Sequence, residues 1–302
     1  MRNITVLGGG ILGSEIAKQA NILGDDVRLA SRSFLNEELS NEGIRLISGD
    51  ASDPEFLENF LKDCDDLVIV FGGMRPYQAE LDPDLNLGLI ENSLTNILTA
   101  VAQNELSSVS YISSGGAVYG EAHNQHHFDE SNPPQPSTAY GRGKLAAEKI
   151  LLDFGFSGSP KARVFRVSNI FGRGEIRDEN FGFIEHALAA VRNRSELHVF
   201  GDGEDCRDFI PVSVAAQQVV SVIHKDDGPL VLNVANGVSN SLNQVIEMIE
   251  QITGQKIKIQ QRERRACDLV HSRLNVDLLQ KLTGYVPPDL RNELTGIWDA
   301  YN

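Results

Sequence analysis

The 302 residues carry 27 basic and 42 acidic side chains, a formal charge of -15, with 41% hydrophobic and 23% charged residues. That composition belongs to a globular chain long enough for one large α/β unit or two domains, and it excludes disordered, collagen-like and fibrous classes. The negative field works against polyanions such as nucleic acid or an anionic membrane surface, so an anionic ligand requires a locally basic pocket. No run of 18 apolar residues suggests a membrane span. Met1-Arg2-Asn3 leads straight into Ile4-Thr5-Val6-Leu7 with no signal-type apolar stretch. Cys64, Cys206 and Cys267 are odd in number and far apart, which makes a cytoplasmic protein with reduced thiols the expectation.

Short apolar, β-branched runs alternate with helix-length segments through the first half, the pattern of βαβ units around a parallel sheet. Strands are predicted at 4–7, 27–30, 44–47, 67–71, 109–113 and 163–167, and helices at 14–23, 53–61, 85–102 and 140–154. Pro133, Pro134 and Pro136 mark a long loop over 121–138, and a second loop is read over 171–180. Beyond residue 170 the pattern is less regular. Helices are expected there at 183–191, 214–223, 242–252 and 290–301.

Gly8-Gly9-Gly10-Ile11-Leu12-Gly13 follows the first strand and opens the first helix, fitting G-x-G-x-x-G in the setting that gives the pattern meaning. One glycine admits a tight turn, one lets backbone N–H groups approach a pyrophosphate, and one lets helix and strand pack closely. The helix N-terminus adds partial positive charge. Gly8, Gly10, Ile11, Leu12 and Gly13 are therefore candidate dinucleotide contacts. At the end of the second strand, Ala30-Ser31-Arg32-Ser33 offers no carboxylate to a free ribose 2′-hydroxyl, whereas Arg32, with Ser31 beside it, suits a 2′-phosphate. NADP(H) is the expected cofactor and NAD(H) the alternative. Asp50, at the end of the third strand, is placed to border the adenine or to cap a turn.

Tyr140-Gly141-Arg142-Gly143-Lys144 sets a phenol and an ammonium one helical turn apart on a common face. A tyrosine titrating near 10 is a poor base at neutral pH, and an adjacent cation stabilises its phenolate. Tyr140 as acid/base and Lys144 as its partner are the catalytic candidates, the same lysine being able to hold the nicotinamide ribose. His123, His126 and His127 gather in the long loop, but no carboxylate or cysteine completes a metal set and no metal is expected.

Other segments fall into a recognisable order around this pair. They are Asp65-Asp66-Leu67-Val68-Ile69-Val70, Tyr111-Ile112-Ser113-Ser114-Gly115-Gly116-Ala117-Val118-Tyr119-Gly120, Ser137-Thr138-Ala139 before Tyr140, and Arg166-Val167-Ser168-Asn169-Ile170-Phe171-Gly172. Phe200-Gly201-Asp202-Gly203 follows, with Arg207-Asp208-Phe209-Ile210 after it. With the glycine turn, and over nearly the whole chain, the sequence resembles an extended short-chain dehydrogenase/reductase of the NAD-dependent epimerase/dehydratase family. That group includes UDP-glucose 4-epimerase and NDP-4-keto-6-deoxysugar reductases. The resemblance implies an α/β fold, a Rossmann-type doubly wound parallel sheet over 1–170 with a smaller C-terminal α/β substrate lobe over 171–302 and some interleaving of segments. It implies that a nucleotide diphosphate sugar is the substrate, that Asn169 binds it, and that Arg207 and the Arg265 of Arg265-Ala266-Cys267-Asp268 grip its diphosphate, forming the basic pocket an acidic protein needs. A homodimer through the helices at 85–102 and 140–154 is also implied.

The sequence departs from the family pattern in three places. Gly115 stands where the family's catalytic Ser or Thr usually lies, so Ser114 is the nearest hydroxyl, with Ser113 on the same strand face as Gly115. The glycine spacing is G-x-G-x-x-G rather than the commoner G-x-x-G-x-x-G. Gly116-Ala117 replaces the Asp-Glu pair of the dehydratases, so a 4,6-dehydratase is not expected. The resulting expectation is hydride transfer at a sugar carbon with Tyr140 handling the proton. NADPH-dependent reduction of an NDP-4-keto-6-deoxysugar comes first and an NDP-sugar 4-epimerase with tightly held NAD second; a catalytically silent, cofactor-sensing protein is the remote alternative.

Overall fold

A computed structural model describes residues 1–33, 37–122, 127–155, 160–172, 182–225, 227–265 and 267–300. In chain order the first half contains β1 (Asn3–Leu7), α1 (Ile11–Ile22), β2 (Asp26–Ser31), a 3-10 turn (Glu37–Glu42), β3 (Arg45–Ser48), α2 (Pro54–Phe60), β4 (Asp66–Ile69), α3 (Pro76–Leu81), α4 (Pro83–Ala102), β5 (Ser108–Ser114), α5 (Gly115–Val118) and α6 (Ala139–Gly155). The second half contains β6 (Lys161–Val167), β7 (Asn169–Phe171), α7 (Phe183–Asn193), β8 (Glu196–Phe200), β9 (Cys206–Pro211), α8 (Val212–Ile223), β10 (Val231–Val234), β11 (Ser239–Ser241), α9 (Leu242–Thr253), β12 (Lys258–Arg262), α10 (Asp277–Thr283) and α11 (Leu290–Ala300).

Seven strands make one parallel sheet in the order β10-β6-β5-β4-β1-β2-β3. Ile4 of β1 pairs with Val27 on one side and Asp66 on the other. Winding therefore reverses beside β1, and a crevice opens at the C-terminal ends of β1 and β4, where ligands bind in folds of this kind. β1 shows why its residues choose this place. Ile4 and Val6 enter the apolar cluster with α1 and α8, and Leu7 enters the one with α2, α4 and α6. A strand covered by helices on both faces must be apolar on both.

β10 and α8 come from beyond residue 171 yet complete the large unit: Val231 pairs with Val164, Val234 with Val167, and α8 packs on α1. The other late elements close around a separate core of Phe171, Leu188, Val245, Ile249 and Leu294. Two small sheets, β11-β9-β7 and β12-β8, accompany that core.

The helix predicted at 14–23 starts three residues earlier, inside the glycine turn, because glycine carries no helix signal even where the backbone is helical. Asp53 is the cap of α2 rather than its first residue, accepting from the N–H groups of Glu55 and Phe56 with Pro54 at the first helical position. Among the described residues no helix is long and apolar enough to cross a membrane. His123, His126, most of the loop read over 171–180, Ala266 and Tyr301 lie outside the described residues.

Candidate active site

Between β1 and α1 the chain turns through Gly8, Gly9 and Gly10. Gly8 has φ +125°, which L side chains rarely adopt, and its N–H donates to the Ala30 carbonyl at 2.8 Å. A Cβ on Gly13 would collide with the Gly8 carbonyl oxygen, so turn and helix touch only because residue 13 is glycine. Gly10 is the N-cap of α1. No side chain caps the helix there, its first turn has no acidic residue, and a Cβ on Gly10 would meet nothing within 4 Å. Uncapped N–H donors of a helix N-terminus facing open space fit the pyrophosphate of a dinucleotide.

Arg32 follows β2 and is exposed. Beside it Ser31 Oγ donates to the Ser33 carbonyl at 2.6 Å. Ser31 pairs with Ser48 of β3, which brings Asp50 to the neighbouring strand end. Asp50 accepts from the amide and hydroxyl of Ser52, both at 2.9 Å. Those two bonds, and after them the Arg32 guanidinium, hold its carboxyl below the ordinary range.

α6 carries Tyr140 and Lys144 on one face, at the mouth of this crevice. The Tyr140 phenol is hydrogen-bonded to the Ser114 hydroxyl. Ser114 ends β5 and precedes α5 without capping it, which leaves its hydroxyl for the phenol. Burial pushes Tyr140 up to about 12, with the Ser114 bond working the other way. Lys144 Nζ lies 5.9 Å from the centre of the Tyr140 ring and donates to the Ile112 carbonyl at 3.1 Å. Burial brings this ammonium down to about 8, opposed by Glu148. Ser113 turns elsewhere, donating at 2.5 Å to Glu148, which is itself forked by Arg166 in a buried pair at 2.7 Å. Ser114, Tyr140 and Lys144 thus come together, and Ser113 does not join them.

Asn169 opens β7, and its Nδ2 donates to the Asp208 carbonyl at 3.1 Å. A Cβ on Gly116 would stand 3.5 Å from that nitrogen, so Asn169 faces the turn that follows Ser114. Asp208 accepts from Ser168, Asn236 and Gly237, and its burial pushes it up to about 6. Arg207 of β9 donates to the carbonyls of Cys206 and Val270 and lies 3.7 Å from Asp205. Arg265 forks onto Asp268 at 3.0 and 2.8 Å and stacks 4.1 Å from the Phe200 ring centre. Arg264 also pairs with Asp205. Both arginines expected to make a basic pocket are therefore matched by aspartates.

The NAD dependent epimerase/dehydratase family matches this chain over residues 4–235. The chain belongs to that family. It is an enzyme of the extended short-chain dehydrogenase/reductase type. Among its relatives, a UDP-glucose 4-epimerase from Azospirillum brasilense is 27% identical over 300 residues, spanning 93% of this chain and 85% of that protein. A dTDP-4-dehydro-6-deoxyglucose reductase from Escherichia coli is 27% identical over 179 residues, 59% of this chain and 55% of that protein. Of solved structures, Thermotoga maritima UDP-glucose 4-epimerase with UDP-glucose superposes with a TM-score of 0.90 at 22% identity, over 99% of this chain and 98% of that one. MoeE5 in complex with UDP-glucuronic acid and NAD superposes with 0.89 at 25% identity and the same coverage.

This member of the epimerase/dehydratase family also uses a residue that its motifs do not flag. Asn86 of α4 is buried, accepts from the Met74 N–H at 2.7 Å and donates to the Ala139 carbonyl at 3.4 Å. It ties the loop after β4 to the start of α6, and so to Tyr140. The available signal is an asparagine at the head of the buried stripe Asn86, Ile90, Leu94.

Proposed function

We propose that the chain is an NADPH-dependent reductase of an NDP-4-keto-6-deoxysugar. The end of β2 carries this reading: exposed Arg32, with Ser31 beside it and no carboxylate in Ala30-Ser31-Arg32-Ser33, suits the 2′-phosphate of NADPH, while the buried Tyr140 phenol keeps its proton at neutral pH. Reduction of a carbonyl needs that proton at the oxygen. Tyr140 Oη donates it, Ser114 hydrogen-bonds the same oxygen, and the Lys144 ammonium stabilises the phenolate left behind. A bound nicotinamide supplies the hydride. Gly8, Gly10, Ile11, Leu12 and Gly13 would hold the pyrophosphate, Lys144 the ribose, Ser31 and Arg32 the 2′-phosphate, and Asp50 the adenine edge. Asn169, Arg207 and Arg265 would hold the sugar nucleotide, the arginines exchanging aspartate for diphosphate.

A 4-epimerase with retained NAD is the second reading, favoured by relatives matched over most of the chain, such as the Azospirillum protein. Incubation with an NDP-4-keto-6-deoxyhexose and NADPH is expected to consume one NADPH per sugar. Interconversion of UDP-glucose and UDP-galactose without added dinucleotide, by protein purified with NAD bound, would replace the first reading with the second. Tyr140→Phe should abolish turnover and keep dinucleotide binding; a fully active variant would remove Tyr140 from the relay. A homodimer accompanies this reading, supported by the exposed Leu81, Leu85 and Leu89 along α3 and α4. Light scattering that gave a monomer mass would refute it.

A further inference from the structure

Tyr111 has no part in the roles assigned so far. It lies in the middle of β5, with its ring fully buried among the residues beneath α4 and α6. Among the described residues its hydroxyl has no hydrogen-bond partner, although buried phenols ordinarily find one. Burial, with Tyr140 and Glu148 adding to it, pushes this phenol well above its ordinary value, so it stays a neutral O–H.

The hydroxyl reaches the crevice at the strand ends. A Cβ on Gly72, three residues past β4, would collide with Tyr111 Oη and stand 3.3 Å from Lys144 Nζ. One small volume therefore holds both polar atoms, and glycine at 72 leaves it to them. Lys144 Nζ also lies 4.8 Å from the centre of the Tyr111 ring. An ammonium has three N–H donors, and one of them goes to Ile112.

From this juxtaposition we propose that Tyr111 is a positioning residue of the relay: once a dinucleotide engages Lys144, the Tyr111 hydroxyl oxygen accepts from the ammonium, keeping it charged and aimed at Tyr140 and the dinucleotide. The proposal rests on the dinucleotide-dependent reading of the site. It gives a use to the hydroxyl left without a partner and to the space that glycine at 72 leaves between it and the lysine. A tyrosine serving the core alone would gain nothing from its oxygen, because phenylalanine fills the same space without a polar atom to satisfy.

The test is NADP(H) and NAD(H) binding to the full chain, followed by titration calorimetry across pH 6 to 10. Affinity of the unaltered protein is expected to fall as Lys144 loses its proton. In Tyr111→Phe the alkaline limb should move down by about one pH unit, the size expected when an ammonium loses a charge-assisted hydrogen bond. A Tyr111→Phe profile that superposes on the unaltered one overturns the proposal. So does a limb that persists in Lys144→Met, since the charge being read is then not that lysine's. An unaltered protein that binds neither dinucleotide fails at the earlier step and overturns the reading of the site itself. A second measurement needs no cofactor. Gly72→Ala should lower the melting temperature, and Tyr111→Phe added to it should restore part of the loss. A double variant no more stable than Gly72→Ala alone puts the hydroxyl elsewhere and overturns the proposal.

Discussion

Lys144→Met exchanges a buried ammonium for an apolar chain of similar length, and its effect on stability follows from the surroundings of Nζ. The residue is 6% exposed, and burial brings its pKa from 10.5 down to about 8. That gap corresponds to about 3 kcal/mol by which the fold disfavours the charged form. Below pH 8 the lysine is charged in both folded and unfolded chains, and the folded state bears the whole cost. Between about 8 and 10.5 the fold has released a proton that the unfolded chain retains, so stability climbs with pH by up to about 1.4 kcal/mol per unit. Above 10.5 both forms are neutral and the cost is gone. Methionine never bears it, but gives up the bond to the Ile112 carbonyl, a loss of about 1 kcal/mol. The variant should therefore be more stable at pH 7 by about 2 kcal/mol, while losing turnover. Urea unfolding at pH 7 and pH 9.5 reads this directly, as a raised midpoint at unchanged slope. The advantage should shrink at pH 9.5 because the unaltered protein gains there. A variant less stable at pH 7, or an advantage that stays constant with pH, refutes the reasoning.

Four further outcomes are expected. Gly13→Ala places a methyl against the Gly8 carbonyl and should abolish dinucleotide binding, with a stability loss of about 1–3 kcal/mol in urea; retained binding would show that the turn is not the cofactor's cradle. Arg166→Met leaves Glu148 buried without its fork and should cost about 3–5 kcal/mol, whereas a loss below about 1 kcal/mol would mean that Ser113 alone satisfies the carboxylate. Arg32→Ala should erode the preference for NADPH over NADH by about ten- to a hundredfold, and an unchanged ratio would remove Arg32 from cofactor selection. Burial holds Asp205 above its ordinary range while Arg207 and Arg264 pull it down, so a diphosphate that draws those arginines away should raise it further and make substrate binding take up protons. Calorimetry in buffers of different ionisation enthalpy measures this, and a proton count of zero would show that the aspartate keeps its arginines.

Much of the large sheet is legible in the sequence because strands covered on both faces are short runs of apolar and β-branched residues, such as Ile4-Thr5-Val6-Leu7 and Leu67-Val68-Ile69. The late strands lack that signature. β11 is Ser239-Asn240-Ser241, polar throughout, and is a strand because β9 offers it a partner. β12 lies on a small sheet with Lys258, Ile259, Gln261 and Arg262 exposed. β10 sits in the main sheet, yet its short run is interrupted by Asn233, whose amide and side chain bond Glu130, Phe128 and Tyr119 from a distant loop. In the site, the glycine turn and the Tyr140–Lys144 pair are readable because their chemistry is carried by local spacing. The choice between Ser113 and Ser114 is not readable, since it is made by Glu148, 35 residues away, which takes the hydroxyl of Ser113.

The matching of arginines by aspartates is tertiary in the same sense, and it alters what the net charge of -15 means for ligand binding. An acidic protein that left Arg207, Arg264 and Arg265 bare would offer any anion a home. With Asp205 and Asp268 already on those guanidinium groups, an incoming diphosphate must replace one set of ion pairs by another. Its electrostatic gain is then a difference between two similar sums, small and weakly salt-dependent compared with binding at a bare cluster. On the proposed reading, affinity would come from the remainder of the ligand, through its nucleoside and sugar. A free phosphate could compete for one fork, but it has no nucleoside to bury. On that reading the aspartates would favour a complete sugar nucleotide over a bare phosphate.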